Sequence, residues 1–322
     1  MNPKSKGSFI LLPLLLCACL LLCSCGNTTD TESSSDPQTS ATAADNSSPA
    51  AASGSRDNTP VVLTGSADGT VTYGNDSVTI DASHTENGYL MVSYSGSNPK
   101  VKLQITGSDE ITYTYNLHDG YETFPLTSGN GSYTVGVFEN MEGTSYSTLF
   151  TQTLDVTIQD EFGPYLYANQ YVNFTAQSKT VAKAVELSSS ANDDLEVIEN
   201  VYNYIITNFT YDYDKAASVL SGYLPDVDDV LAKQTGICFD YAAVMAAMLR
   251  CERIPTRLEV GYMGDVYHAW ISTYIKDKGW VNGIIEFDGN DWKLMDPTFA
   301  STSSDPKDFL TQTDEYITKY VY

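Results

Sequence analysis

The sequence predicts an α+β domain preceded by an all-β antiparallel sandwich. Three observations lead there. From residue 61 to about 160, short segments rich in Val, Ile, Thr and Tyr are separated by turn chemistry about every eight to twelve residues. The apolar residues Leu195, Ile198, Val201, Tyr202, Ile205, Ile206 and Phe209 then recur at helical spacing. Beyond residue 255 the strand pattern returns. Helices followed by antiparallel strands make an α+β domain.

Strands are expected over 77–82, 89–94, 100–106, 111–117, 132–138 and 149–158. In the third, Val101, Leu103 and Ile105 alternate with Lys100, Lys102 and Gln104, the period of a half-buried strand. Ser-Gly-Ser-Asn-Pro, His-Asp-Gly and Ser-Gly-Asn-Gly lie between them as turns. His84 and His118 fall near these loops and read as surface residues. A helix is expected over 193–208, with Asn192 as its cap and Asp193 and Asp194 at its positive end. A short helix over 226–234 follows Pro225, its early aspartates again first-turn acids, and a third covers 239–250. Strands close the domain at 256–262, 267–275, 280–287 and 292–295, with Asp288-Gly289-Asn290-Asp291 as a hairpin turn.

The net charge is −24, from 41 acidic and 17 basic residues. Nucleic acid needs a basic face, and adsorption to anionic lipid needs a polybasic one, so both are disfavoured. The charge would weakly favour basic substrates or amine donors.

The first residues are an address. Lys4 and Lys6 precede an apolar run over 9–23, too short for a comfortable membrane span. The segment ends Leu22-Cys23-Ser24-Cys25-Gly26, which resembles the bacterial lipoprotein box. That resemblance implies removal of residues 1–24 and acylation of Cys25, so that lipid chains hold the protein at the outer face of the cell membrane. An ordinary cleaved signal or an uncleaved anchor is the alternative. Residues 25–60, rich in Ser, Thr, Ala and Asp, read as a flexible tether. The sandwich then spans 61–163 and the α+β domain 164–322.

Six cysteines occur, and four of them lie in the leader and box. The other two, Cys238 and Cys251, flank the third helix. Thirteen helical positions separate their backbones by about 20 Å, whereas a disulfide needs Cα atoms within about 7 Å. They also point about 220° apart around the helix, so both cannot serve one site. Cys238 follows Gly236-Ile237 and opens the helix, where the dipole favours a thiolate. Cys251 closes it, and reads as a packed thiol.

From residue 165 onward there is one histidine, His268, in the strand segment Val266-Tyr267-His268-Ala269-Trp270. Asp296 ends the last strand before Pro297. A thiolate, a base and a carboxylate to orient that base are the parts of a nucleophilic acyl-transfer site. Each alone has a plainer reading: a packing histidine, a turn-forming aspartate.

Taken together, several ordered blocks resemble the transglutaminase-like core. They are Gly236-Ile237-Cys238-Phe239-Asp240-Tyr241-Ala242, Met248-Leu249-Arg250, Ile254-Pro255-Thr256-Arg257, Gly261-Tyr262, His268-Ala269-Trp270, Trp292 and Asp296-Pro297-Thr298. The resemblance runs from about residue 204 to 300. It implies a papain-like fold with Cys238 as nucleophile, His268 as base and acid, and Asp296 as orienting carboxylate. No metal or other cofactor is expected.

The chain departs from the family at Arg253, where the family often has Gly. That predicts a helix ending without a residue in the left-handed conformation. The tryptophan that serves the oxyanion in large animal transglutaminases has no evident counterpart. Tyr211 and Gln234 are the side-chain candidates for that role, each with a structural alternative, and the Cys238 backbone N–H is a further donor.

The expected function is an extracytoplasmic, membrane-anchored thiol acyltransferase acting on peptide or protein amides in the cell wall, on the surface or in a host. Hydrolysis and crosslinking both remain open. The rivals are a zinc site, which lacks paired ligand spacing, and a catalytically silent binding or scaffold lipoprotein. The sandwich is expected to act as a spacer or a protein-binding surface. No calcium loop is evident around Asp226, Asp228 and Asp229.

Overall fold

A computed structural model describes residues 55–282, 284–287, 292–295 and 316–322. Cys25, its leader and Asp296 lie outside the described residues, as does most of the tether.

Eight strands come first: β1 (Thr72–Gly74), β2 (Val78–Asp81), β3 (Tyr89–Tyr94), β4 (Val101–Thr106), β5 (Thr112–Leu117), β6 (Gly120–Pro125), β7 (Gly131–Glu142) and β8 (Ser145–Val156). They form two antiparallel four-stranded sheets, ordered β1-β2-β3-β6 and β5-β4-β7-β8. Alternation in β4 works as expected: Val101, Leu103 and Ile105 are buried, and the residues between them are half-exposed. Leu103 lies opposite Tyr115 on one neighbour and Val137 on the other. The sequence reading misses β1 and β6 and ends β7 four residues early. His84 and His118 are surface residues as expected, each beside an acid, Asp68 at 2.7 Å and Glu122 at 3.0 Å.

The second part begins with helices α1 (Lys179–Ser188) and α2 (Asp194–Asn208), strand β9 (Thr210–Tyr211), then α3 (Tyr213–Ser218), α4 (Val227–Lys233), strand β10 (Thr235–Gly236) and α5 (Cys238–Cys251). Strands β11 (Thr256–Met263), β12 (Val266–Ile275), β13 (Gly279–Asn282), β14 (Ile284–Phe287), β15 (Trp292–Met295) and β16 (Tyr316–Val321) follow. The main sheet is ordered β13-β12-β11-β16 and is antiparallel throughout. The single strand expected over 280–287 is divided here between β13, on the main sheet, and β14, which pairs with β15.

Helix α5 is central. Its Ala, Met and Leu residues have high helix propensity, and every residue from Asp240 to Cys251 is buried. Helices α1, α2 and α4 pack on it from one side, and β11 and β12 from the other. The core is continuous with that of the first eight strands. Aromatic rings join the two parts: Tyr115 contacts Tyr171, and Tyr171 contacts Phe239, the second residue of α5.

Three helix ends differ from expectation. Asp193 rather than Asn192 caps α2, its carboxylate accepting the Glu196 N–H at 2.9 Å. The Asn192 side chain is engaged by Glu196 and Ser55 instead. At the end of α5, Arg253 itself takes the left-handed conformation, with φ 65°. A non-glycine residue there costs roughly 1–2 kcal/mol, and its guanidinium holds Asp57 at 3.0 Å. The last residues assigned to the tether also engage the body. Arg56 bonds Asp194 at 2.6 Å and Glu252 at 3.2 Å, and the Val61 N–H donates to the Cys251 carbonyl.

Asp228 is more than a first-turn acid. Its carboxylate accepts the N–H groups of Lys179 and Thr180 at 3.0 and 2.9 Å, capping α1 from α4. Burial works to raise its pKa, but these bonds prevail and hold it below the ordinary value. Its stabilisation is therefore present above about pH 4 and is lost as pH falls through the lowered folded-state value. Urea midpoints followed from neutral pH into acid should show a steeper loss for the wild type than for Asp228→Asn. Parallel acid limbs would contradict this assignment.

Candidate active site

The site grows from the turn before α5. Strands β9 and β10 form a two-residue parallel ladder in which Tyr211 lies opposite Gly236. It is extended by Thr210 N–H to the Gln234 carbonyl and Asp212 N–H to the Gly236 carbonyl, both at 2.9 Å. This ladder carries Tyr211 to the start of α5. Its hydroxyl stands against Cys238. Burial pushes the Tyr211 pKa up to about 12; the nearby sulfur adds to the shift, and the Cys238 N–H, donating to the phenol oxygen, opposes it. The phenol is therefore neutral and keeps its proton across the physiological range.

Cys238 is the first residue of α5 and is half-buried. The turn before it is fixed by a residue that the sequence reading left without a role. Asp240 is fully buried, and its carboxylate accepts the Ile237 N–H at 2.8 Å. The same carboxylate accepts from Lys215 Nζ and Tyr223 Oη, each at 2.6 Å. Burial, then the bond to Asp240, drives the Tyr223 pKa far up, so the phenol stays a donor. A Cβ on Gly236 would stand 2.8 Å from the Asp240 carboxylate oxygen, so only glycine lets the turn close on this anchor. The local signal was present, because Asp240 has the N3 spacing of a capping box. It was hidden by an isoleucine at the cap position, and its partners are remote in sequence.

His268 is buried on β12, opposite Gly261 of β11. It shares a face with Trp270, their rings 6.1 Å apart and nearly parallel. Ala269 and Ile271, on the alternate face, join the same core as α5. Tyr267, next in sequence to His268, is 58% exposed and close enough to feel the Cys238 charge. The first turn of α5 and the first residues of β12 therefore share one neighbourhood. Tyr267 was not singled out from the sequence, since an exposed strand-end tyrosine has no pattern of its own.

Gln234 has a different setting from Tyr211. It is the C-cap of α4, with φ 50°, and its amide donates to Tyr204 Oη at 3.3 Å. Cys251 is a buried, free thiol as expected, donating to the Met248 carbonyl at 3.1 Å, and burial pushes its pKa up to about 12. No group of three or more His, Cys, Asp or Glu side chains with metal-binding geometry occurs among the described residues.

A cysteine that opens a central helix, with a histidine on the sheet packed against that helix, defines a class of α+β domain. Residues 181–283 match the family model of the transglutaminase-like superfamily. Over those residues the chain is similar to a transglutaminase-like domain, and it combines helices with an antiparallel sheet there.

Among solved structures, the chain is similar to a candidate cysteine protease from Cytophaga hutchinsonii, with 19% identity over 71% of this chain and 69% of that one, TM-score 0.33. It is similar to the periplasmic domain of TgpA from Pseudomonas aeruginosa, with 14% identity over 74% and 100%, TM-score 0.34. It is also similar to red sea bream transglutaminase, with 15% identity over 67% and 48%, TM-score 0.28, and so spans about half the length of that enzyme. No curated protein sequence matches the chain.

Proposed function

We propose that the chain is a thiol acyltransferase acting on peptide or protein amide bonds, with Cys238 as nucleophile, His268 as base and acid, and Asp296 as the carboxylate that orients the imidazole. The observation that carries this reading is the placement of Cys238. It opens the central helix, its turn is pinned by buried Asp240, and a neutral phenol stands over it.

In this mechanism the Cys238 sulfur attacks the amide carbonyl carbon, and the C=O π pair moves onto oxygen. The Tyr211 O–H donates to that oxyanion, and the Cys238 N–H, giving up the phenol oxygen, donates to it as well. Collapse breaks the C–N bond, His268 delivers a proton to the departing nitrogen, and a thioester remains. Water or an amine then attacks, His268 takes the attacking group's proton, and the thiol is restored. Tyr211 is preferred to Gln234 as side-chain donor because the Gln234 amide is engaged by Tyr204.

The lipoprotein box ending in Cys25 supports a site outside the cell membrane, held there by acyl chains and the tether. Among the described residues no helix is long and apolar enough to cross a membrane. The two sheets over residues 61–163 are read as a sandwich domain that presents the transglutaminase-like domain or binds a protein partner.

Iodoacetamide labelling of the full chain, read for each cysteine by mass spectrometry, tests the thiolate–imidazolium pair. Cys238 is expected to label faster in the wild type than in His268→Ala. Cys251 should stay unlabelled in both. Ordinary thiol behaviour of Cys238 in both proteins would sink the reading. Tyr211→Phe is expected to lower kcat by about 10²-fold with little change in KM, the size seen when one oxyanion donor is removed. A matching change in KM alone would make Tyr211 a substrate-binding residue instead.

A further inference from the structure

A cavity of about 240 Å³ lies between the loops of the first two sheets and the start of β11, and neither Cys238 nor His268 lines it. Its floor is the Arg257 side chain. The guanidinium carbon stands 3.7 Å from the Trp280 ring centre and 4.8 Å from that of Tyr165. These stacking contacts occupy the faces of the guanidinium and leave its N–H groups, which lie in the plane, to find partners at the edge.

They are not all satisfied. Arg257 Nε is buried and has no hydrogen-bond partner, while elsewhere the guanidinium bonds the Tyr165 hydroxyl. Arg257 also takes part in none of the ion pairs among the described residues. The acid two residues along the strand, Glu259, is engaged by the hydroxyls of Ser272 and Thr318. Only Glu161, exposed on the cavity's lining, brings a negative charge. A cation with a desolvated, unpaired N–H is costly to maintain, and more conspicuous in a chain of net charge −24.

The rest of the wall suits a small anion. Asn130 Oδ1 accepts the Ile158 N–H at 2.7 Å, which orients the side chain and leaves its amide N–H₂ as a donor. Leu126, Ile158 and Pro164 add apolar surface. A single guanidinium with an acid near the mouth fits one negative charge better than two.

We propose that this cavity is a binding site for a small monocarboxylate, held by the Arg257 edge in the two-bond geometry that a guanidinium gives a carboxylate. A peptide C-terminus and an acidic sugar both present that group. The site is separate from the acyl-transfer centre and does not depend on its chemistry.

Saturation-transfer NMR on the full chain tests the site, at constant ionic strength. N-acetylglycine and D-glucuronate serve as the acids, and N-acetylglycinamide as the neutral control. At least one acid is expected to give a saturable signal that the amide lacks, and the better acid identifies the source. Arg257→Gln should weaken binding by roughly tenfold or more. Asn130→Asp keeps an acceptor for the Ile158 N–H but adds a negative charge beside the carboxylate, and should weaken binding similarly in a protein that still folds. Cys238→Ala should bind as wild type does, which separates this site from the catalytic reading. Equal signals from acid and amide, no saturable signal from either acid, or unchanged binding in Asn130→Asp would each overturn the proposal.

Discussion

Replacing Cys238 by alanine is expected to remove amide acyl transfer, lowering kcat by about 10⁴-fold or more, as loss of the nucleophile does in other triads. The loss would leave the fold intact. The Cys238 side chain is half-buried at the helix start, and the turn before it is held by the Asp240 carboxylate rather than by the sulfur. Alanine also keeps the backbone N–H that faces Tyr211 and has a higher helix propensity. Cys251→Ala should show the converse. It empties part of a fully buried site and costs stability, without touching the chemistry. Amine incorporation into casein and proteolysis of labelled casein, measured on both variants, distinguish crosslinking from hydrolysis in the same experiment. Full activity in Cys238→Ala would remove the catalytic reading altogether.

The second large effect concerns stability. Arg250 is 1% exposed, and among the described residues it pairs with no Asp or Glu side chain. Its guanidinium donates to three backbone carbonyls: Thr256 at 3.0 Å, Tyr167 at 2.8 Å and Tyr322 at 2.8 Å. Burial pulls its pKa down to about 9, so it is still charged at neutral pH. One side chain thus fastens α5 to the start of β11, to the segment preceding α1 and to the end of β16.

Arg250→Met keeps similar volume but removes a donor from each of the three oxygens, of which that of Tyr322 still accepts the Leu258 N–H at 2.9 Å. At about 1–3 kcal/mol for each of the other two left unsatisfied, the loss is roughly 2–6 kcal/mol. That is a large part of the stability of an ordinary domain. Arg250→Lys should recover little, because an ammonium cannot reproduce the planar fork. Urea unfolding of the full chain provides the measurement. A shift below about 1 kcal/mol in Arg250→Met would show that the three bonds contribute little.

What the sequence discloses follows the range of the forces involved. Strand β3 has the expected ends, and β4, β5 and β12 are within a residue of theirs, because alternation and turn residues are local. The start of α5 is also legible, since Gly236, Ile237 and the alanine-rich run sit together. Helix α1 was missed. Its first N–H groups are taken by Asp228, 49 residues away, and its own cap residue Ser178 makes no side-chain capping bond. The Asp240, Lys215 and Tyr223 cluster is hidden for the same reason, because its members meet only after α3 and α4 are placed. The left-handed conformation of Arg253 was read wrongly since residue type alone sets a preference there, whereas the chain's turn into β11 sets the outcome.

Arg56 gives the fold a mechanical property. The chain enters the described body at Ser55 and Arg56, and is fastened at once to the far end of the helix that carries Cys238. Arg56 reaches Asp194 and Glu252, Arg253 reaches Asp57, and the Val61 N–H meets the Cys251 carbonyl. A pull applied through the preceding residues would load these bonds together, as a clasp, before it reached either of the first two sheets. Tension applied at Arg56 is thereby borne at the base of α5, and the thiol at its tip is spared the strain.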